Sequence, residues 1–254
     1  MRPLHNFGIV KACLYLLFSL IVLFSAHFFY LYQHRSFSPQ QFEHPSFFSK
    51  FSNSLEPRQQ LAPLLTQPFF YLGEGRQMTA FESLDGKYVI KFFHPWTKPR
   101  EYTAFSFKKF WKLFFPKTWK STYFQREKKI HALGRSYEMI FNQFPEDKSL
   151  IFVHLHSADF LPCSQLKLYD RKGESHTIDL TKAPFVLQKK AELVIPYLDY
   201  LLKIGDQDKI KELLISLNRL FTQKSYKGLY DKGQALASNF GFLEGSAVQI
   251  DWGM

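Results

Sequence analysis

Between Ala12 and Gln33 the chain carries no Asp, Glu, Lys or Arg across the run ACLYLLFSLIVLFSAHFFYLYQ. As a helix, roughly 20 such residues at about 1.5 Å each match the ~30 Å hydrocarbon core of a bilayer. The segment is therefore expected to cross a membrane once, with Tyr30, Tyr32, His34 and Arg35 forming an interfacial edge. A cleaved signal peptide is the rival. Ala26 lies before His27 as a cleavage site would need, but the bulky Phe24 two residues earlier favours an uncleaved anchor. Arg2 and Lys11 on one side are balanced by Arg35 and Lys50 on the other, so the positive-inside rule selects no orientation. Residues 1–35 thus read as an N-terminal anchor segment. Residues 36–67, rich in Ser, Pro, Gln and Phe, read as a linker to a single domain over 68–254.

That domain can bury a core, since 46% of the chain is hydrophobic and only 22% charged, which excludes wholesale disorder. The net charge of +11 is unevenly placed: thirteen Lys or Arg stand against two acids, Glu101 and Glu127, between Lys87 and Arg135. Such a stretch attracts phosphate. With a membrane segment on the same chain, the expected partners are the membrane, with its anionic lipid headgroups, or a partner protein, rather than nucleic acid. Cys13 and Cys163 lie in different parts of the chain and supply neither a disulfide framework nor a metal cluster. The nine His residues show no ligand spacing, and His154 and His156 alternate as on one face of a strand.

From Phe69 the texture becomes that of a hairpin. Phe69 to Leu72 is strand-like and leads into Gly73-Glu74-Gly75. Met78 to Ser83 follows, then a turn signal at Asp85-Gly86, then the strand Tyr88 to Phe93. Glycines at 73 and 75 let the backbone come close to phosphate oxygens, and Lys91 near the end of the partner strand offers a fixed positive charge. Thr122 to Phe144 reads as a helix with Gly134 as its weak point. Leu150 to Leu155, Leu166 to Asp170, Ser175 to Leu180 and Phe185 to Gln188 read as strands, with a turn at Arg171-Lys172-Gly173. Two helices follow, Ile195 to Ile204 and Asp206 to Thr222, the second apolar at Ile210, Leu213, Leu214, Leu217, Leu220 and Phe221. The chain then carries Asp231 and Asn239 in a loop, a hairpin turning at Glu244-Gly245, and a strand ending in Asp251-Trp252-Gly253. Strands first and helices later, with one helix among the strands, is the order of an α+β fold.

In this order the motifs resemble the protein-kinase-like superfamily over roughly Phe69 to Met254, and in texture kinase-like membrane proteins of obligate intracellular bacteria. Gly73 and Gly75 look like the Gly-rich loop, and Tyr88-Val89-Ile90-Lys91 like its Val-Ala-Ile-Lys strand. The stretch from Asp231 to Asn239 looks like the catalytic loop, and Asp251-Trp252-Gly253 like Asp-Phe-Gly. The resemblance implies a bilobal fold with a small lobe over about 68–190 and part of a large lobe over about 191–254. It implies ATP and Mg as cofactors. Lys91 would bind the α/β-phosphates beneath Gly73 and Gly75, Glu127 would orient Lys91, Asn239 and Asp251 would hold Mg²⁺, and Asp231 would take the substrate proton.

The sequence also departs from that pattern. Met78 stands where the third glycine of the loop would be. Asp231 precedes Asn239 by eight residues rather than five, with Gln234 at the five-residue position, and Leu229-Tyr230 replaces His-Arg. Only Met254 follows Gly253, so the helices that complete a large lobe are not in this sequence. The expectation is a membrane-anchored kinase-like protein that binds Mg–ATP with weak or absent phosphotransfer. The alternative is a non-catalytic membrane protein whose basic, aromatic domain binds lipid headgroups or a protein.

Overall fold

A computed structural model of the chain describes residues 5–33, 37–43, 59–75, 77–94, 116–155, 161–229 and 235–252. Its elements follow the strands-then-helices order. Helix α1 is His5–Gln33 and α2 is Ala62–Leu65, followed by β1 (Phe69–Glu74), β2 (Met78–Ser83) and β3 (Tyr88–Phe93). The long helix α3 (Pro116–Gln143) precedes β4 (Leu150–His154), β5 (Gln165–Tyr169), β6 (Ser175–Asp179) and β7 (Phe185–Lys189). Then come β8 (Glu192–Leu193), α4 (Val194–Ile204), α5 (Gln207–Tyr226), α6 (Leu236–Asn239), β9 (Phe240–Leu243) and β10 (Ser246–Gln249). The architecture is mixed α+β.

Seven strands form one sheet in the order β4-β7-β3-β2-β1-β5-β6, and β10-β9-β8 form a small second sheet. Neighbours in the large sheet are antiparallel except β1 and β5, which run parallel. Period-2 alternation divides adjacent side chains between two cores. Phe81, Phe92, Phe185 and Leu187 face one side with Leu166, Leu168 and Ile178 of the β5–β6 hairpin. Phe93, Val153 and Val186 face the other, against Leu133, Tyr137 and Ile140 of α3, Phe144 just after it, and Leu213, Leu217 and Leu220 of α5.

The lead-in over 36–67 is more than a linker in its described parts. Phe42, on a 3-10 turn at Pro39–Phe42, is fully buried and stacks on Phe92 with ring centroids 5.0 Å apart. Leu61, Leu64 and Leu65 are buried in the same core. Withdrawing one such Phe from water contributes about 2–3 kcal/mol, which explains why a Ser- and Pro-rich segment still packs. Helix α3 starts at Pro116, six residues before the expected Thr122, because Pro is well suited to a first helical position. Gly134 lies buried within that helix without ending it. His154 is buried on β4, whereas His156 lies outside the described residues.

Helix α1 occupies the segment expected to cross a membrane. Among the described residues no helix is long and apolar enough to do so.

The junction of α4 and α5 is written in two residues. Gly205 takes a left-handed φ of 75° and caps α4, and the Asp206 carboxylate accepts the Lys209 N–H at 3.0 Å to start α5. Gly241 on β9 answers a different need: a Cβ there would sit 2.7 Å from the Glu192 carbonyl oxygen of β8. Glycine is what lets the small sheet close behind β10.

Candidate functional site

Cross-strand register builds the first half of the site. Lys91 of β3 pairs with Ala80 of β2, which pairs with Gly73 of β1. Paired residues point to the same face, so Gly73 lies two strands, about 10 Å, from Lys91 on one surface. The turn between β1 and β2 is held by Gly75 N–H donating to the Met78 carbonyl at 2.8 Å. A Cβ on Gly73 would meet nothing within 4 Å among the described residues.

The β9–β10 hairpin brings the second half. The Asn239 carbonyl accepts the Ile250 N–H at 2.8 Å and the Asp251 N–H at 3.4 Å, which joins the two ends of the hairpin. Lys91 meets this junction: its Nζ donates to the Ile250 carbonyl, 159 residues away in sequence, and its charge faces Asp251. Burial lowers the Lys91 pKa, and the Asp251 carboxylate opposes that shift. Lys91, Asn239 and Asp251 are all partly buried, at a rim rather than deep in a core. The Asn239 Oδ1 accepts from Ser238 Oγ at 2.8 Å.

From α3 the residue at this place is Tyr137. Its phenol is fully buried and pushed well above its usual pKa, first by burial and then by the Asp251 charge, with the Trp252 backbone alongside. Glu127 belongs to the same helix, ten residues or about 15 Å earlier along the axis; its side chain lies outside the described residues. Asp231 lies outside the described residues altogether. The structure thus brings Lys91, Asp251 and the backbone of Asn239 together, with Gly73 and Gly75 two strands away. An ammonium facing one carboxylate, with two glycines two strands away, is chemistry suited to a polyphosphate carrying a divalent cation.

Behind the hairpin lies a polar group that the motif spacing does not point to. Lys224 of α5 is 4% exposed, and its Nζ donates to Oε1 of the fully buried Gln249. Burial lowers its pKa to about 8, against the pull of Asp147. The signal was available in the period of α5: the buried positions run Leu213, Leu217, Leu220 and Lys224. A second unexpected cluster is Asp170, Glu174 and His176, whose ligand atoms lie within 4.8 Å of one another. Turn closure accounts for it. Asp170 Oδ1 accepts the Lys172 and Glu174 N–H groups at 2.8 and 3.0 Å, and Oδ2 faces His176 Nε2 at 3.0 Å. Burial would raise the Asp170 pKa, but those partners, His176 foremost, hold it below the usual value.

Comparison of the chain with protein-family models, with curated proteins and with solved structures gives no match.

Proposed function

We propose that this chain is a membrane-anchored, kinase-like nucleotide-binding protein that holds Mg–ATP between the Gly73–Gly75 turn, Lys91, Asn239 and Asp251, with weak or absent phosphoryl transfer. The observation that carries the reading is the meeting of Lys91 with Asp251 across 160 residues of chain, on a sheet whose first strand and the turn after it carry Gly73 and Gly75. Lys91 would neutralise phosphate charge, and Asn239 and Asp251 would ligate the cation through oxygen. The eight-residue spacing from Asp231 to Asn239 and the replacement of His-Arg by Leu229-Tyr230 argue for binding rather than turnover.

The anchor reading is supported by α1 itself. Every large apolar side chain from Leu14 to Phe24 is between 49% and 71% exposed, on all sides of the helix. A helix that is apolar all round needs a covering of lipid or protein.

The test is thermal unfolding of the full chain in detergent with ATP, with Mg²⁺ and with both. A rise in melting temperature that needs both ligands is expected; ligand at about 100 times its Kd stabilises by about 2.7 kcal/mol. Lys91→Met should weaken ATP binding at least tenfold. Equal binding by Lys91→Met would reduce Lys91 to a strand-end lysine, and absence of any shift in the wild type would favour the lipid- or protein-binding alternative.

A further inference from the structure

Helix α5 inserts a cation where its apolar stripe calls for another leucine. Lys224 Nζ donates to Gln249 Oε1 and lies 4.9 Å from the centroid of the Trp252 ring and 5.4 Å from that of Phe240. Gln249 Nε2 donates to the Asp251 carbonyl at 2.8 Å, and the Gln249 carbonyl accepts from Ser149 Oγ at 3.5 Å. The charged groups around it come from the α3–β4 connection and the end of α5. Asp147, 3% exposed, faces Lys224 and accepts the Ser149 N–H at 2.8 Å, and Lys227 pairs with Glu146 at 2.8 Å.

The chemistry of the amide makes this arrangement directional. An ammonium has three donors and no acceptor, so it can meet only the oxygen end of Gln249. With Oε1 held there, the NH₂ end is left for the Asp251 carbonyl. A buried amide without that cation has no such reason to choose one orientation. A buried lysine is also a poor way to gain stability, since desolvating an ammonium offsets its contacts.

We propose that Lys224 is a positioning residue: by fixing the Gln249 amide and covering Trp252 it sets the place of Asp251 opposite Lys91. The proposal deepens the nucleotide reading and rests on it for its ligand, but the geometry it asserts can be measured without any ligand.

The experiment compares hydrogen exchange in the full chain, in Lys224→Met and in Gln249→Glu. Met keeps the stem and removes the donor. Glu keeps an acceptor for Lys224 but cannot donate to the Asp251 carbonyl, so it cuts the second link alone and serves should Lys224→Met not fold. Both variants should speed exchange of the Ile250 and Asp251 amides at least tenfold, while the β3 amides and those of 213–220 keep their protection. With ligand, Lys224→Met should lose about tenfold in the Mg-dependent gain in ATP affinity and keep its Mg-free ATP affinity. Unchanged exchange at 250 and 251 would overturn the proposal, as would uniform loosening of the domain, which would make Lys224 merely structural. Absence of Mg-dependent binding in the wild type would sink the nucleotide reading, and the exchange data would still decide the relay.

Discussion

Above about pH 8 the protein should become more stable as pH rises, and Lys224 should be the reason. Its pKa falls from 10.5 to about 8 on folding. Below pH 8 both states hold the proton and the group adds no pH dependence. Between 8 and 10.5 the unfolded chain keeps the proton while the folded chain sheds it, so stability rises with pH. Integrating one site from about pH 8 to about pH 9.5 gives about 1.6 kcal/mol, and solvent screening brings the working figure to about 1 kcal/mol. For a chain of this size that is about 2–4 °C in Tm. Other groups titrate nearby. Lys91 is also lowered and adds with the same sign, whereas the raised Tyr137 and Cys163 act in the opposite sense. The quantity to measure is therefore the difference between wild type and Lys224→Met in urea unfolding at each pH. That difference should change by about 1 kcal/mol across the window, in favour of the wild type at the alkaline end. Curves that stay parallel would show that Lys224 is not buried as a cation, and the reasoning would fail.

Three further outcomes follow from the geometry. Asp251→Asn should abolish the Mg²⁺ dependence of nucleotide binding, read by calorimetry with and without the metal, because a neutral amide is a poorer ligand for a hard cation. Gly241→Ala should destabilise the chain by about 1–3 kcal/mol in urea unfolding, since its Cβ would meet the Glu192 carbonyl at 2.7 Å and one strand must shift; an unchanged midpoint would mean that β8 yields freely. Replacing Leu20 and Val22 by Arg should release the protein from membranes, at about 2.5–3.5 kcal/mol for each charge near a helix centre, and retention in the pellet after a carbonate wash would count against a spanning α1.

What could be read along the chain was whatever is local. The hairpin glycines, the turn at Asp85-Gly86, the strand Tyr88 to Phe93 and the Glu244-Gly245 turn are set by neighbours within a few residues, and the strands on either side of these turns formed close to their expected bounds. Non-local pairing was not readable in this way. Nothing near Gln165–Tyr169 announces that β5 will lie parallel to β1, with Phe69 opposite Leu168, because that choice is made by the Phe-rich face it covers. Tyr137 was hidden for a related reason: an aromatic on the buried face of a helix looks the same in sequence whether it fills a core or abuts a carboxylate. Lys224 is the instructive case. Reading α5 only to Thr222 leaves the lysine in a polar tail, although the spacings 213, 217, 220 and 224 put it on the buried stripe. Long side chains ordinarily carry such a lysine's charge out to solvent, so period alone would have suggested an ammonium reaching the surface. What keeps this one inside is a set of acceptors and rings supplied by β10, the residues after it and the α3–β4 connection, tens of residues away in sequence. A buried cation is thus the kind of feature that a one-dimensional pattern can locate but cannot interpret, and two of its partners, Gln249 and Trp252, flank Asp251.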